Sequence, residues 1–494
     1  MSSTFPTFEA DTPRSYRMLI GGSWVDAADG QRIDVITPID RHRVIATIPR
    51  AGEVDADRAV AAARAAQPGW AALPFTERQR ALLRIADDLE AVVEDLAALT
   101  ALDTGNAIRT QARPEAGLLV GAFRYFAGLA GELKGVTLPT GSDALSLTRR
   151  LPLGVVAGIL PWNSPLMIAA FKLPAALVSG NAMVLKAAED APTTVLELAE
   201  ICARHLPEGV LNVVTGYGPE IGEALVDHPG VDKVSFTGST ATGSGVASRA
   251  GGRLAHVSLE LGGKSPCIVL PDADDEDTVE QVMLATRFAR QGQSCTSGSR
   301  LFLHEDIHDS FLEKVVARAA QMRVGDPREE STDIGCIINA RQWDRVQGYI
   351  DDGLANEGVE VAYDGRPALQ VGEPGFYHAP MILTQVRNDW RIAREEIFGP
   401  VLSVLRWRTE DEVVAMANDS HYGLAAFVFG RDIGMALRTA QRVQSGWVQV
   451  NQGGGQQVGQ SYGGMKASGQ GREFSLEGML EGFTQIQQIN VRLS

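Results

Sequence analysis

Leu153-Gly154-Val155-Val156-Ala157-Gly158-Ile159-Leu160 opens the stretch that decides the fold. Four more short strand-like runs follow at Ala182–Lys186, Leu211–Val214, Val231–Phe236 and His256–Glu260. Helix-compatible segments lie between them, at Leu166–Leu177, Thr193–His205, Pro219–Val226 and Thr240–Ala250. Strand and helix alternating at this pitch predict βαβ units and a parallel sheet. The runs are apolar throughout rather than alternating, which fits strands covered on both faces.

Outward from this stretch the pattern changes. Residues 1–18 read as a loose arm, and Leu19–Ile48 as short strands broken by Gly21-Gly22, Gly30 and Pro38. Thr76 followed by Gln79 has the form of a capping box. Leu82, Leu83, Ile85, Leu89, Val92, Leu96 and Leu99 then recur at helical spacing, predicting one long amphipathic helix that Gly105 can end. Beyond Gly262-Gly263 a second α/β series is expected. It has helices over Asp275–Arg290, His308–Met322 and Asp411–Asn418, and strands over Ser299–His304 and Ile397–Trp407. Gly353–Gly375 reads as hairpins and loops, and Gln452–Gly464 as a loop. Phe483–Leu493 looks like a strand with nothing local to pair with.

With 494 residues, two or three domains are expected. Hydrophobic residues at 45% and charged residues at 21% exclude a mainly disordered chain. The net charge of −16 argues against nucleic acid or anionic lipid as a partner. The four cysteines show no paired spacing, so neither a disulfide framework nor a metal site is expected. A polar N-terminus and short apolar runs point to a cytoplasmic protein without a membrane span.

Cys295 stands apart from the other cysteines. It lies in Gln291-Gly292-Gln293-Ser294-Cys295-Thr296-Ser297-Gly298, where small polar neighbours leave a thiol reachable and hydrogen-bonded. A nucleophile needs both conditions. Cys202, Cys267 and Cys336 sit among apolar residues and read as core. Glu260, in Glu260-Leu261-Gly262-Gly263-Lys264, ends a strand at the side where open α/β sheets bind ligands, so it is a candidate base. The two prolines of Pro161-Trp162-Asn163-Ser164-Pro165 fix a turn, and a rigid amide such as Asn163 suits an oxyanion. Phe236-Thr237-Gly238-Ser239-Thr240 joins strand to helix and offers backbone N–H groups to a phosphate. In Lys186-Ala187-Ala188-Glu189, an acid after the second strand can bind ribose hydroxyls and repel a 2′-phosphate.

Taken in order, these motifs resemble the aldehyde dehydrogenase superfamily. So do Glu395-Glu396-Ile397-Phe398-Gly399-Pro400 and Tyr462-Gly463-Gly464-Met465-Lys466 with Gly471-Arg472-Glu473. The resemblance runs from about Leu19 to Val491. It implies an α/β chain with a Rossmann-type cofactor domain (1–131 and 152–261), a catalytic domain (262–467) and a small β oligomerisation element (132–151 and 468–494). It implies NAD-dependent oxidation of an aldehyde to an acid, with NADP less favoured, by a homodimer or homotetramer. Cys295 would be the nucleophile, Asn163 would stabilise the oxyanion, and Glu260 would activate the hydrolytic water. Lys172 and Glu473 would lie near the proton path. Lys186 and Glu189 would hold the adenosine ribose, with Gly218 near the adenine and Ser239 and Trp162 at the pyrophosphate. Glu396 would hold the nicotinamide ribose and Phe398 would pack beside the ring. Two alternatives stand beside this reading. One is an acylating relative that passes the thioester to coenzyme A, a branch that commonly lacks the base at Glu260. The other is a non-enzymatic binding protein on the same scaffold. The chain departs from the family at Ser461-Tyr462, where Pro-Phe is usual, and at Ser164 and Gln449, where aromatics are common. A mouth short of aromatics is a poor cage for a quaternary ammonium, which ranks betaine aldehyde low.

Overall fold

The computed structural model describes residues 12–369, 371 and 374–493. Most of the arm expected over residues 1–18 lies outside them, but Arg14–Ser15 and Met18–Ile20 are already strands. The five strand-like runs form one parallel core, in the spatial order 211–214, 182–186, 155–159, 233–237, 256–260. By chain order that is 3-2-1-4-5, the doubly wound arrangement of dinucleotide-binding sheets. Strand order reverses between Val155–Ile159 and Lys233–Thr237, so the ligand crevice is expected at the carboxyl ends of those two strands. Antiparallel strands extend the sheet at both edges, Met18–Ile20 with Ser23–Val25 on one and Gly469–Gln470 on the other.

Both faces are covered, as the continuous apolar strands require. The helix Pro165–Val178 is buried along its whole length, and it packs with Thr193–Ala203 into the larger core. Pro165 begins it at the first helical position, where a missing N–H costs nothing. The alanine-rich helix Glu53–Ala72 and the helix Thr240–Gly252 contribute to the core of the opposite face.

The second sheet has the order 360–364, 381–384, 401–407, 300–304, 266–269, 425–429, 447–450. All neighbours are parallel except Glu360–Asp364, which pairs antiparallel with Met381–Thr384. Residues 261–265 lead from the first sheet to the second, and the chain returns to the edge of the first at Gly469–Gln470.

Several expectations are corrected. The helix expected through Leu99 is two, Phe75–Glu90 and Val93–Thr104, broken at Ala91-Val92, where Val92 leaves helical geometry. Gly105 does end the second, at φ +75. The capping box is absent: Pro74 precedes the first turn, so Thr76 already lies inside the helix. The strand expected from Ile397 begins at Val401, because Phe398 adopts φ +61 and Pro400 cannot donate to a ladder. The C-terminal strand also has a partner within its own chain. Thr484–Arg492 pairs antiparallel with Ala144–Pro152 along its full length, and Thr137–Leu138 completes this third sheet. Within 468–494, Gly469–Gln470 belongs instead to the edge of the first sheet.

Candidate active site

The nucleophile loop is set by backbone geometry. The helix Glu276–Thr286 stops at Arg287, and the chain turns through positive φ at Arg287, Gln291 and Gly292 before reaching Cys295. Gly292 is required there. A Cβ would collide with the Gly399 carbonyl, so the loop and the Phe398-Gly399-Pro400 turn pack backbone to backbone. Gln293 anchors the loop from the other side, its Oε1 accepting from the Ile338 N–H at 3.0 Å.

Cys295 is half-buried, while the other three cysteines are fully buried. Burial pushes the Cys295 thiol up to about 11. A hydrogen bond to the Tyr462 hydroxyl, Sγ to Oη 3.4 Å, opposes that rise, whereas the nearby Glu396 and Glu260 carboxylates add to it. Tyr462 is held by ring contacts with Phe171 (5.1 Å) and Trp447 (6.3 Å) and by paired backbone bonds with Glu473.

Asn163 sits against this loop. Its Nδ2 donates to the Gln293 carbonyl at 2.9 Å, and its own carbonyl accepts from Asn106 Nδ2 at 3.0 Å. The amide is therefore fixed, with one Nδ2 hydrogen engaged and one left to donate. Glu260 is buried, and neither carboxylate oxygen has a hydrogen-bond partner among the described residues. Burial first, and repulsion by Glu473 second, raise it well above the usual carboxylate range.

Lys172 and Glu473 form a buried ion pair in which Nζ lies 3.0 Å from both carboxylate oxygens. Ser235 and Ser258 donate to the same carboxylate at 2.6 and 3.1 Å. This fully bonded carboxylate is held below its ordinary range despite burial, so two acids near one site are driven in opposite directions.

The remaining predicted residues follow the carboxyl ends of the first sheet and the facing turn. Lys186 Nζ contacts Glu189 Oε2 at 2.6 Å. Ser239 caps the helix Thr240–Gly252, accepting from the Thr242 N–H. Trp162 and Phe398 meet edge to face, ring centroids 5.3 Å apart. Glu396 accepts from the Gly263 N–H at 3.0 Å, and burial pushes its carboxyl up to about 7. Gly218 starts a π-helical turn, and a Cβ there would meet nothing within 4 Å. It lies apart from the thiol, on the turn that also carries Tyr217 and Glu220.

Several residues were not anticipated. Lys264 is buried with no partner for Nζ among the described residues, and burial lowers it to about 7. Arg290 pairs with the buried Glu115 at 2.7 Å and also donates to Ser164 Oγ at 2.6 Å. Gln111, on the π-helical turn Ile108–Ala112, donates weakly to the Asn163 carbonyl at 3.4 Å. Single π-turns of this kind concentrate at functional sites, the one local signal available.

A sequence model of the aldehyde dehydrogenase family matches residues 24–489. The chain is 42% identical over 477 residues to a hydroxyisobutyraldehyde dehydrogenase from Mycolicibacterium austroafricanum, covering 96% of this chain and 94% of the relative. Among solved structures it resembles an NAD-dependent aldehyde dehydrogenase from Sinorhizobium meliloti (38% identity, TM-score 0.94, 99% and 98% coverage). It also resembles the NAD+ complex of an aldehyde dehydrogenase from Bacillus cereus (36% identity, TM-score 0.93, 97% of each chain). The chain belongs to the aldehyde dehydrogenase family.

The Tyr462 contact yields a measurable expectation. Hydrogen bonds to charged groups contribute about 1.5–3 kcal/mol, and one pKa unit corresponds to about 1.4 kcal/mol. Tyr462→Phe removes a bond that favours the thiolate, so the Cys295 pKa rises by about one unit. Alkylation of Cys295 by iodoacetamide, followed against pH, should slow about tenfold below the thiol pKa and converge with the parent above it. An unshifted profile would show that the hydroxyl does not act on the sulfur.

Proposed function

We propose that this enzyme oxidises an aldehyde to its carboxylic acid with NAD, through a thioester on Cys295. The observation that carries the reading is a half-buried thiol set between the fixed amide of Asn163 and the unpartnered carboxylate of Glu260.

The cofactor reading rests on the crevice at the strand reversal. Lys186 and Glu189 would hold the adenosine ribose, with Gly218 beside the adenine. Ser239 and the helix start behind it would face the pyrophosphate, with Trp162 along the cleft. Glu396 would take the nicotinamide ribose, its partner Gly263 keeping it aimed, and Phe398 would lie against the ring side. Bound there, NAD supplies the hydride acceptor. The Glu189 carboxylate disfavours a 2′-phosphate, and the Sinorhizobium and Bacillus relatives are described with NAD.

The chain's own groups account for the rest. Cys295 gives its proton to solvent water, and the thiolate adds to the aldehyde carbon. The free Nδ2 hydrogen of Asn163 and the Cys295 backbone N–H then stabilise the oxyanion. After hydride loss the carbon is a thioester. Glu260, once ionised, takes a proton from water, the hydroxide displaces the thiolate, and the acid leaves. The elevated range of Glu260 suits this proton transfer, because a carboxylate raised by burial is a stronger base when it ionises. Lys172 and Glu473 would steady the field behind it and form part of its proton route.

The domain reading keeps the sequence expectation of a cofactor domain (1–131 and 152–261), a catalytic domain (262–467) and an oligomerisation element (132–151 and 468–494), except that Gly469–Gln470, at the edge of the first sheet, go with the cofactor domain. The outer edge of Thr484–Arg492 supports the oligomerisation element. It is an edge strand with largely exposed side chains, Ile486 among them, and an uncovered edge invites pairing. A homodimer or homotetramer is proposed, acting in the cytoplasm.

Two measurements check these readings. NADH formation over a panel of aldehydes should be present in the parent and absent in Cys295→Ala, with kcat/KM higher for NAD than for NADP. Activity surviving in the variant would remove Cys295 from the mechanism, and equal cofactor values would remove Glu189 from selection. Light scattering should give a dimer or tetramer for the full chain and a smaller species after deletion of residues 484–494. A full chain that is already monomeric would end the assembly proposal.

A further inference from the structure

Arg287 ends the helix Glu276–Thr286 in the left-handed region, at φ +59. That region is disfavoured for a residue with a side chain, so the surroundings must hold it there. Its own guanidinium supplies the hold. Nη1 donates to the Leu284 carbonyl at 3.0 Å and to the Gly453 carbonyl at 2.8 Å, and Nη2 donates to the Gly454 carbonyl at 2.7 Å. Nε reaches Thr296 Oγ1, the hydroxyl next to Cys295, at 3.4 Å. Every nitrogen of this buried guanidinium is thus engaged.

The far anchor is itself rigid. The Gly453 N–H donates to Gln281 Oε1 at 2.9 Å, and a Cβ at Gly453 would strike the Gln281 carbonyl, so this segment packs directly on the helix Glu276–Thr286. The Gly454 carbonyl accepts a second bond, from Nε2 of the buried Gln449 at 2.9 Å.

On the near side, the turn made by Arg287 carries the nucleophile loop. The Arg287 carbonyl accepts from the Arg290 N–H at 2.8 Å and from the Gly292 N–H at 2.9 Å. The Arg290 carbonyl in turn accepts from the Gln293 N–H at 2.8 Å. The Gln293 carbonyl is the atom that receives Asn163 Nδ2. Ser294 and Thr296, on either side of Cys295, join their hydroxyls at 3.2 Å. Hydrogen bonds therefore link Arg287 to both groups that the proposed reaction turns toward the oxyanion, Asn163 Nδ2 and the Cys295 N–H.

We propose that Arg287 is a positioning residue for the oxidation: by bonding Gly453 and Gly454 it locks the left-handed turn that aims Asn163 and the Cys295 N–H at the oxyanion. This deepens the activity proposed above and rests on it. A guanidinium suits the task, because its planar fork spans two successive carbonyls where an ammonium is a single point of contact.

The test is the rate of the first NADH turnover, followed by stopped flow at saturating NAD and the aldehyde that the parent oxidises fastest. The parent is compared with Arg287→Gly and Arg287→Lys. Glycine takes the left-handed φ without strain and removes the anchor, so it isolates the side chain's part. Removing one oxyanion donor outright slows catalysis by about 100- to 1,000-fold, and misaiming it costs less. Arg287→Gly should therefore slow the first turnover by about tenfold or more, and Arg287→Lys by a smaller factor. The aldehyde concentration for half saturation should move by less than about threefold, since the loss falls on the transition state. Iodoacetamide alkylates Cys295 without forming an oxyanion, so alkylation above the thiol pKa should stay within about twofold of the parent. A first turnover at the parent rate in Arg287→Gly would overturn the proposal, even with a lowered Tm, and leave a merely structural arginine. Alkylation slowed as much as NADH formation would overturn it too, by placing the effect on the sulfur. If Arg287→Gly does not fold, Arg287→Lys decides by the same pair of rates. No NADH from the parent with any aldehyde would overturn the oxidation itself.

Discussion

The site depends on a close approach at Gly262-Gly263. Strand His256–Glu260 ends the parallel core of the first sheet, and Pro266–Val269 begins in the second only six residues later. Between them a Cβ at Gly262 would strike the Glu396 carboxylate, and one at Gly263 would strike the Cys295 carbonyl. Because neither residue has a side chain, Glu260, Cys295 and Glu396, to which the proposed mechanism gives the roles of base, nucleophile and cofactor ligand, converge on one link. The Gly263 N–H then bonds Glu396, so the same glycine that admits the nucleophile loop also orients its neighbour. This is a steric requirement before it is a chemical one, and the chemistry inherits its precision from it.

Electrostatics then separates groups that composition alone would treat alike. Glu260 and Glu473 are both buried acids near one site. Glu473 receives Lys172, Ser235 and Ser258 and is held toward its ionised form, whereas Glu260 receives no hydrogen bond among the described residues and is driven toward its neutral form. The unpaired acid is the one suited to exchange a proton, and the paired one is suited to stay fixed. Cys295 carries the same logic. Its thiol is raised by burial and by two acids, so its proton must be accepted before the sulfur becomes reactive.

Much of the fold was legible because the five core strands are apolar runs bounded by turns, a pattern with few alternatives. The strands at Ala182–Lys186, Leu211–Val214 and His256–Glu260 match residue for residue. The helix break at Ala91-Val92 was not legible, because the leucine period continues across it. The partner of Thr484–Arg492 lies more than 300 residues earlier, so no local pattern pointed to it, and only the family resemblance put 132–151 and 468–494 in one element. The helix Ala340–Leu354 did carry a signal, with Val346, Tyr349, Ile350 and Gly353 buried at helical spacing, and it went unread. Within the site, residues that act through a local motif could be seen: Cys295 in its polar loop, Asn163 between prolines, Glu260 before two glycines. Arg290 and Glu115 could not. They are 175 positions apart, and only the packing of the π-turn Ile108–Ala112 against the nucleophile loop brings them together.

The most direct test of the account is the pre-steady-state time course of Glu260→Gln with NAD and an oxidisable aldehyde. In the proposed mechanism attack and hydride loss need Cys295 and Asn163, whereas thioester hydrolysis needs Glu260 as the base. The account predicts a rapid burst of NADH approaching one equivalent per Cys295, followed by turnover slowed by about 100-fold or more. Steady turnover at the parent rate would contradict the assignment of Glu260 as the base.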